Sequence, residues 1–279
     1  MCHAAEVPQP TSEPRYLVVA ELDLSLDAVS LRHRPSWSDG WTDALDEARQ
    51  KVVDRERSRG HALLSEPDGS LPPLYRYEGH RFDGTRLVLD TCTTDYAAHL
   101  LTNVEHPEWR DELGAEVMAD ALGVSGLVLT ADNQIVVGRR SARTHEAVGA
   151  FHVAPSGHPH PPQTIPEAFA AELLEELGVR DSEVRRGRLT GLIRAVPTGK
   201  PELTARLDLR IDAEEVIERS TTAVEGWEFE NLELVEWRST TVAEWLTDNG
   251  TRLVAPGHAA ITLAAHAAFG PEFASEPAC

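Results

Sequence analysis

Three glutamates, Glu172, Glu175 and Glu176, stand close together in the stretch GHPHPPQTIPEAFAAELLEELGV, residues 157–179. On a helix the spacings i, i+3 and i+4 are surface neighbours, so the three carboxylates share one arc. Beside it lies an apolar stripe of Phe169, Ala170, Leu173, Leu174 and Leu177. No Lys or Arg occurs from 164 to 178, and Glu175 and Glu176 fall near the negative end of the helix dipole, where carboxylates are disfavoured. Like charges at these spacings cost roughly 0.2–0.5 kcal/mol per pair. A divalent cation would offset both penalties. A hard ion that prefers oxygen, Mg²⁺ with Mn²⁺ as the alternative, suits Glu172, Glu175 and Glu176 as ligands. The competing explanation is a solvated acidic face on an acidic protein.

The elements that must position these carboxylates are well marked. Thr164 can cap the helix and Glu167 completes a capping box. Pro166 falls in the first turn, where a missing N–H costs nothing. Gly178 stands in the place of a left-handed terminator, and Val179 can pack back onto the helix. Before the helix, Val124–Thr130 and Ile135–Arg140 read as strands around a turn at 131–134, and Phe151–Ala154 as a short strand leading to Gly157. After it come strands at Leu189–Val196 and Leu203–Ile211, a helix at Ala213–Ser220, and an acidic loop, 221–230, carrying Glu225, Glu228 and Glu230. A strand at Leu232–Trp237 and helices at Thr240–Thr247 and Gly257–Phe269 follow. This alternation predicts a mixed α/β sandwich.

The first third is organised differently. Residues 1–14 are polar and proline-bearing and read as a disordered tail. A strand is expected over Tyr16–Leu26, with Leu22, Leu24 and Leu26 alternating. A helix is expected at 37–57 with Ala44, Ala48, Val52 and Val53 inside, then a loop at Ser58–Pro73. Tyr75–Phe82 and Thr85–Asp90 flank Asp83-Gly84 as a hairpin. Residues 91–103 read as a polar turn and a short helix, and the acidic, irregular 104–120 as a boundary. The expected division is a tail at 1–14, a smaller α+β domain at 15–115 and the α/β/α main domain at 116–279.

The 279 residues, 41% hydrophobic and 26% charged, can bury a large core. A formal net charge of −20 argues against nucleic acid as a partner. It leaves room for a nucleotide whose few phosphates a metal and some arginines neutralise. Cysteines occur at Cys2, Cys92 and Cys279, which allows no disulfide framework and favours a reducing compartment. With neither a signal-peptide pattern nor an apolar run long enough to span a membrane, a cytoplasmic location without membrane partners is expected.

Gly157, Gln163, Ala171 and the run Glu172-Leu173-x-Glu175-Glu176-x-Gly178-Val179 keep every spacing of a family motif. They resemble the Nudix box, Gly-x5-Glu-x7-Arg-Glu-U-x-Glu-Glu-x-Gly-U with U aliphatic, departing from it at Gln163 and Ala171. The family Arg holds the glutamates by ion pairing, which Ala171 cannot do; Gln163 keeps an acceptor but brings no charge. The resemblance implies a Nudix fold and Mg²⁺-dependent hydrolysis of a nucleoside diphosphate linked to another group. In it Glu172 and Glu176 are the chief metal ligands and Glu175 a third. The general base is left open between Glu175 and a carboxylate of the 221–230 loop, Glu228 or Glu230.

Further stretches are similar to the Nudix hydrolases of UDP-glucose and UDP-galactose, which carry an N-terminal extension. These are DALGVSGLVLTADNQIVVGRRS, GAFHVAPSGHPHP and TTDY…TN of 93–103. That resemblance implies UMP and a sugar 1-phosphate as products. Arg139 and Arg140, at a strand end, are candidate phosphate clamps. Gly157 and His158, in the turn that opens the box, are candidates for substrate contact. His158 and His160 would suit zinc better than magnesium as ligands, so a ring contact to substrate or a turn role is the expectation. Tyr96 is set either to stack on a base or sugar or to join the core, and Asn103 and Asp95 are lesser candidates. The rival readings are another substrate, such as ADP-ribose, and a nucleotide-binding module that no longer cleaves.

Overall fold

The computed structural model describes residues 14–35, 37, 40–58, 70–144, 146–270 and 273. All of the expected tail except Pro14, and most of the 58–73 loop, lie outside them. In chain order the elements are β1 (Tyr16–Ser25), β2 (Val29–His33), α1 (Asp43–Ser58), β3 (Leu74–Phe82), β4 (Leu87–Thr94), α2 (Tyr96–His99) and α3 (Trp109–Glu112). There follow β5 (Gly123–Leu129), β6 (Gln134–Arg140), β7 (Phe151–Val153), β8 (Ser156–Gly157), α4 (Ile165–Leu177), β9 (Val184–Ala195) and β10 (Pro201–Leu209). The chain ends with α5 (Ala213–Ser220), β11 (Phe229–Glu236), α6 (Ser239–Asn249) and α7 (Ala255–Phe269).

The large sheet has eight strands in the order β1-β9-β10-β5-β6-β11, with β7 paired to β6 and β8 to β5. β5 and β10 run parallel in it. All of β5 is buried, as its run of Gly, Val, Ser and Leu suits a strand covered on both faces. On one face Phe169, Leu173 and Leu177 of α4 join Leu189, Leu203 and Leu207 in a core. On the other, Ala260, Ile261 and Ala264 of α7 pack with Leu127, Ile135 and Val137. The fold is therefore mixed α/β, with helices on both faces.

A second sheet, β2-β4-β3, is built from the first third of the chain. Its Tyr75, Leu87 and Leu89 enter the same core as α4, while Val52 and Val53 of α1 pack with Ala97, Leu100 and Leu101. The two sheets are stitched at the main chain. Leu122 N–H donates to Tyr75 O at 2.8 Å and Tyr77 N–H to Asp120 O at 3.0 Å. β1, by contrast, lies in the large sheet beside β9, so residues 15–115 feed both sheets.

Several local expectations shift. α1 begins at Asp43 rather than 37, which leaves Ala44 exposed in its first turn. Phe82 pairs with Leu87, so the hairpin turn holds four residues instead of two. Asp83 closes it by accepting from the N–H groups of Thr85 and Arg86. Thr91–Thr94 extend β4 instead of turning, and α2 runs on into a wider π turn, Leu100–Glu105. β11 starts at Phe229, because β6 offers Arg140 as its partner. On α4, Leu174 is 51% exposed and leaves the apolar stripe, whereas Ala168 and Glu176 are buried.

Candidate functional site

α4 has the ends its sequence specifies. The Thr164 side chain accepts from Glu167 N–H, and the Glu167 side chain accepts from Thr164 N–H at 2.7 Å. Gly178 adopts φ 65°, a left-handed value that glycine takes without strain. Val179 N–H then reaches back to Leu173 O at 3.1 Å.

The glutamates separate along the helix. Glu172 is half-buried and packs against Gly157, where a Cβ would overlap its carboxylate. Glu175 is exposed. Glu176, 1% exposed, is turned inward and accepts from Ser156 N–H at 3.1 Å. A fourth glutamate arrives from elsewhere in the chain. Glu225 N–H donates to Glu175 O at 2.7 Å, which ties the 221–228 loop to α4. Oxygens of Glu172, Glu175 and Glu225 can thereby lie within 4.8 Å of one another. Glu228 closes the group, with its own O accepting from Ser141 N–H at 2.7 Å.

The electrostatics are those of crowded carboxylates. Burial, followed by repulsion from Glu175, Glu225 and Glu228, pushes Glu172 well above the ordinary carboxylate range. Burial and then Glu172 and Glu228 do the same to Glu176. Glu225 is raised by burial, Glu228 and Glu175, and Glu228 by burial, against which the Arg140 cation pulls it down. Arg140 Nη1 stands 3.5 Å from Glu228 Oε2 and its side chain is 14% exposed. Its neighbour Arg139 points the other way, 46% exposed and 3.8 Å from Glu230. Period-two alternation allows only one of two adjacent strand residues to face the site.

Glu172, Glu175, Glu225, Glu228 and Arg140 line a cavity of about 710 Å³. The lining also includes Tyr96, Glu146, His158 and His160, as well as His152, Lys200, Glu202 and the start of α7 at Val254–Pro256. The Tyr96 hydroxyl donates to Glu146 Oε1 at 2.8 Å, and its ring meets His158 edge-on with centroids 5.8 Å apart. His158 and His152 each keep a buried ring nitrogen without a hydrogen bond, Nε2 and Nδ1 respectively. Burial, with Lys200 nearby, holds His158 well below its ordinary range, and burial with Arg140 and Lys200 does so for His152. Both rings are neutral. His160 is tied to Pro73 O at 3.1 Å and its N–H to Gln163 Oε1 at 2.9 Å. Gln163 thus fixes the turn as an uncharged acceptor. Asn103 and Asp95 serve the frame. Asn103 is buried and donates to Asp120 and Thr198, and Asp95 caps α2 and pairs with Arg49 at 2.7 Å.

Reading the sequence singles out neither Lys200 nor His152, Glu202, Glu146 or Trp227, all of which line the cavity. One signal was available: Lys51 and Lys200 are the only lysines in a chain whose other cations are arginines. No helix among the described residues is long and apolar enough to cross a membrane.

No family model matches the chain. No curated protein matches it either. Solved structures do match. A mutT/nudix family protein from Listeria innocua is 18% identical with a TM-score of 0.37, covering 53% of this chain and 93% of its own. A MutT protein from Methanosarcina mazei is 17% identical with a TM-score of 0.35, covering 50% and 89%. A Nudix hydrolase from M. smegmatis is 14% identical with a TM-score of 0.36, covering 53% and 84%. This chain is thus similar to Nudix-fold structures over about half of its length and at low identity, a likeness that says nothing of activity or substrate.

Proposed function

We propose that this protein is a Mg²⁺-dependent diphosphatase. It hydrolyses a nucleoside diphosphate sugar of the UDP-glucose or UDP-galactose kind to UMP and a sugar 1-phosphate. The observation that supports it best is the meeting of Glu172, Glu175 and Glu225, with oxygens within 4.8 Å, on the wall of a large cavity that Arg140 also lines. The donor set fits the metal. It offers only carboxylate oxygens, as Mg²⁺ prefers, and their mutual repulsion is relieved by a cation. Glu172, Glu175 and Glu225 would hold the ion, with Glu176 behind them fixing the Ser156-Gly157 turn. When bound, Mg²⁺ neutralises diphosphate oxygens and makes water a better nucleophile.

The chain's own groups do the rest. Arg140 donates hydrogen bonds to non-bridging phosphate oxygens. Glu228, held at the cavity wall by Arg140, accepts the proton of the attacking water as the P–O bridge breaks; a carboxylate with a raised pKa is a better base. Gly157 leaves room for the Glu172 carboxylate. Neutral His158 and the Glu146 carboxylate offer donor and acceptor atoms to the hydroxyls of a sugar.

The test is turnover. Purified protein with Mg²⁺ is incubated with UDP-sugars, ADP-ribose and NADH, and UMP, AMP and sugar phosphate are measured. UMP release from a UDP-sugar, reduced at least about 100-fold by Glu172→Gln and by Glu225→Gln, is the expected result. Binding of nucleotide without turnover of any compound would sink the enzymatic reading. Unchanged turnover in both variants would sink the metal assignment.

A further inference from the structure

The start of α7, which lines the cavity, is a feature that the carboxylate centre leaves unused. α7 is a helix of 15 residues whose N-cap, Val254, supplies no side-chain hydrogen bond. Its second residue, Pro256, has no N–H, so the first-turn donors left over are the N–H groups of Ala255 and Gly257. Val254, Ala255 and Pro256 line the cavity, so this helix start opens onto it. Uncapped N–H groups together with the positive end of the helix dipole attract anions.

A second observation at the same place points to a ligand. His152 is 8% exposed, lines the same cavity, and keeps its Nδ1 without a hydrogen bond. That nitrogen lies 3.3 Å from the point where a Cβ on Gly257 would stand, which puts it against the first turn of α7. A buried ring nitrogen is rarely left unbonded in a finished structure. Lys200 adds a third donor. Its Nζ faces Glu202 Oε2 at 3.1 Å, and the other Glu202 oxygen accepts from Ser125 Oγ at 2.5 Å. Lys200 balances the Glu202 charge as an ion pair, and an ammonium carries three N–H groups, so donors remain for a further partner. The strand pairing sets His152 opposite Gly138, two residues before Arg140, so His152 lies beside the strand that carries Arg140 to the carboxylates.

We propose that the first turn of α7, His152 and Lys200 form a phosphoryl-binding subsite. It would take the phosphoryl group that leaves with the non-nucleoside half of the substrate. Arg140 and the carboxylate centre would then hold one end of the diphosphate, and α7 the other. This rests on the diphosphatase reading for the identity of the ligand, though not for the existence of an anion site.

The experiment is calorimetric titration of the whole protein in EDTA, so that no metal bridges the ligand, with inorganic phosphate and with glucose 1-phosphate. Ala255→Asp is the informative variant. A carboxylate in the first turn favours the helix, so folding should be unchanged or improved, yet it occupies the anion position. Wild type should bind both probes, glucose 1-phosphate more tightly, and Ala255→Asp and Lys200→Met should each weaken both by roughly tenfold or more. The subsite is overturned if neither probe binds wild type, or if both variants bind like wild type. Equal affinities for the two probes would overturn its assignment to the substrate. None of these outcomes depends on turnover, so failure of the subsite and failure of the diphosphatase reading are told apart by the hydrolysis assay.

Discussion

Glu172 and Glu225 come from elements more than fifty residues apart in sequence, yet both titrate upward because they share a half-buried site with Glu228. The sign of that shift makes a prediction. A carboxyl whose folded pKa is raised costs stability at neutral pH, and the cost disappears as pH falls through the folded value towards the ordinary 4.5. Mg²⁺ relieves the same cost while the groups are ionised. The rise in melting temperature on adding Mg²⁺ should therefore be largest above about pH 7 and shrink towards about pH 5. A gain equal at both pH values in a thermal-shift series would contradict the carboxylate centre. The two arginines give a second test. Arg140 lines the cavity and Arg139 is turned out. Arg140→Met should lower kcat/KM by roughly 10- to 100-fold, the worth of a charge-assisted phosphate contact, and Arg139→Met should leave it nearly unchanged.

At the scale of elements, α4 is a helix whose start and stop are both specified locally. Removing the cap with Thr164→Ala should cost about 1 kcal/mol. Gly178→Ala should cost about 1–2 kcal/mol, since alanine at φ 65° is strained and its Cβ would stand 3.1 Å from Arg219 O. Denaturant unfolding measures both, and the Mg²⁺ response of each folded variant should persist. Gly157→Ala should do the reverse. Its Cβ would overlap the Glu172 carboxylate, so the metal response and turnover should fall by more than about tenfold while stability changes little. A Gly157→Ala protein with full turnover would show that Glu172 can move without consequence.

Across the whole molecule, one buried carboxylate joins the α2–α3 segment to the large sheet. Asp120, 2% exposed, accepts from Asn103 Nδ2 at 3.1 Å and from Arg194 Nη1 at 3.0 Å, and also pairs with Arg110. Asn103 in turn holds Thr198 O at 2.9 Å, on the turn that precedes Lys200. Asp120→Ala should cost about 3 kcal/mol or more in unfolding free energy, because it strands two guanidinium groups. The buried histidines set the acid limit. Burial holds His99 at about 4 against 6.5 when unfolded. The unfolded chain therefore takes up the proton first, and stability is lost as pH falls from 6.5 to about 4. A shift of that size is on the order of 3 kcal/mol. The fall of melting temperature over that window should be shallower in His99→Gln than in wild type.

The order of the longer strands and helices from β5 onward, the limits of α4 and the spacing of its glutamates were legible in the chain, because caps, terminators and periodicity act over a few neighbouring residues; β2 and α3 were not. α1, the hairpin turn and the start of β11 moved where a tertiary partner outweighed a local cue: Phe82 took Leu87, and Phe229 took Arg140. Which carboxylates meet was a matter of folding. Glu176, a neighbour of Glu172 on the helix, turns inward to Ser156, while Glu225 reaches Glu175 across a loop. The same holds for the rest of the cavity lining, where His152, Lys200 and the start of α7 come together from segments far apart in sequence. Sequence by itself determined which residues could carry charge on one face of one helix. Only the tertiary structure decided their company, since strand order and loop docking depend on contacts between distant segments that no local pattern records.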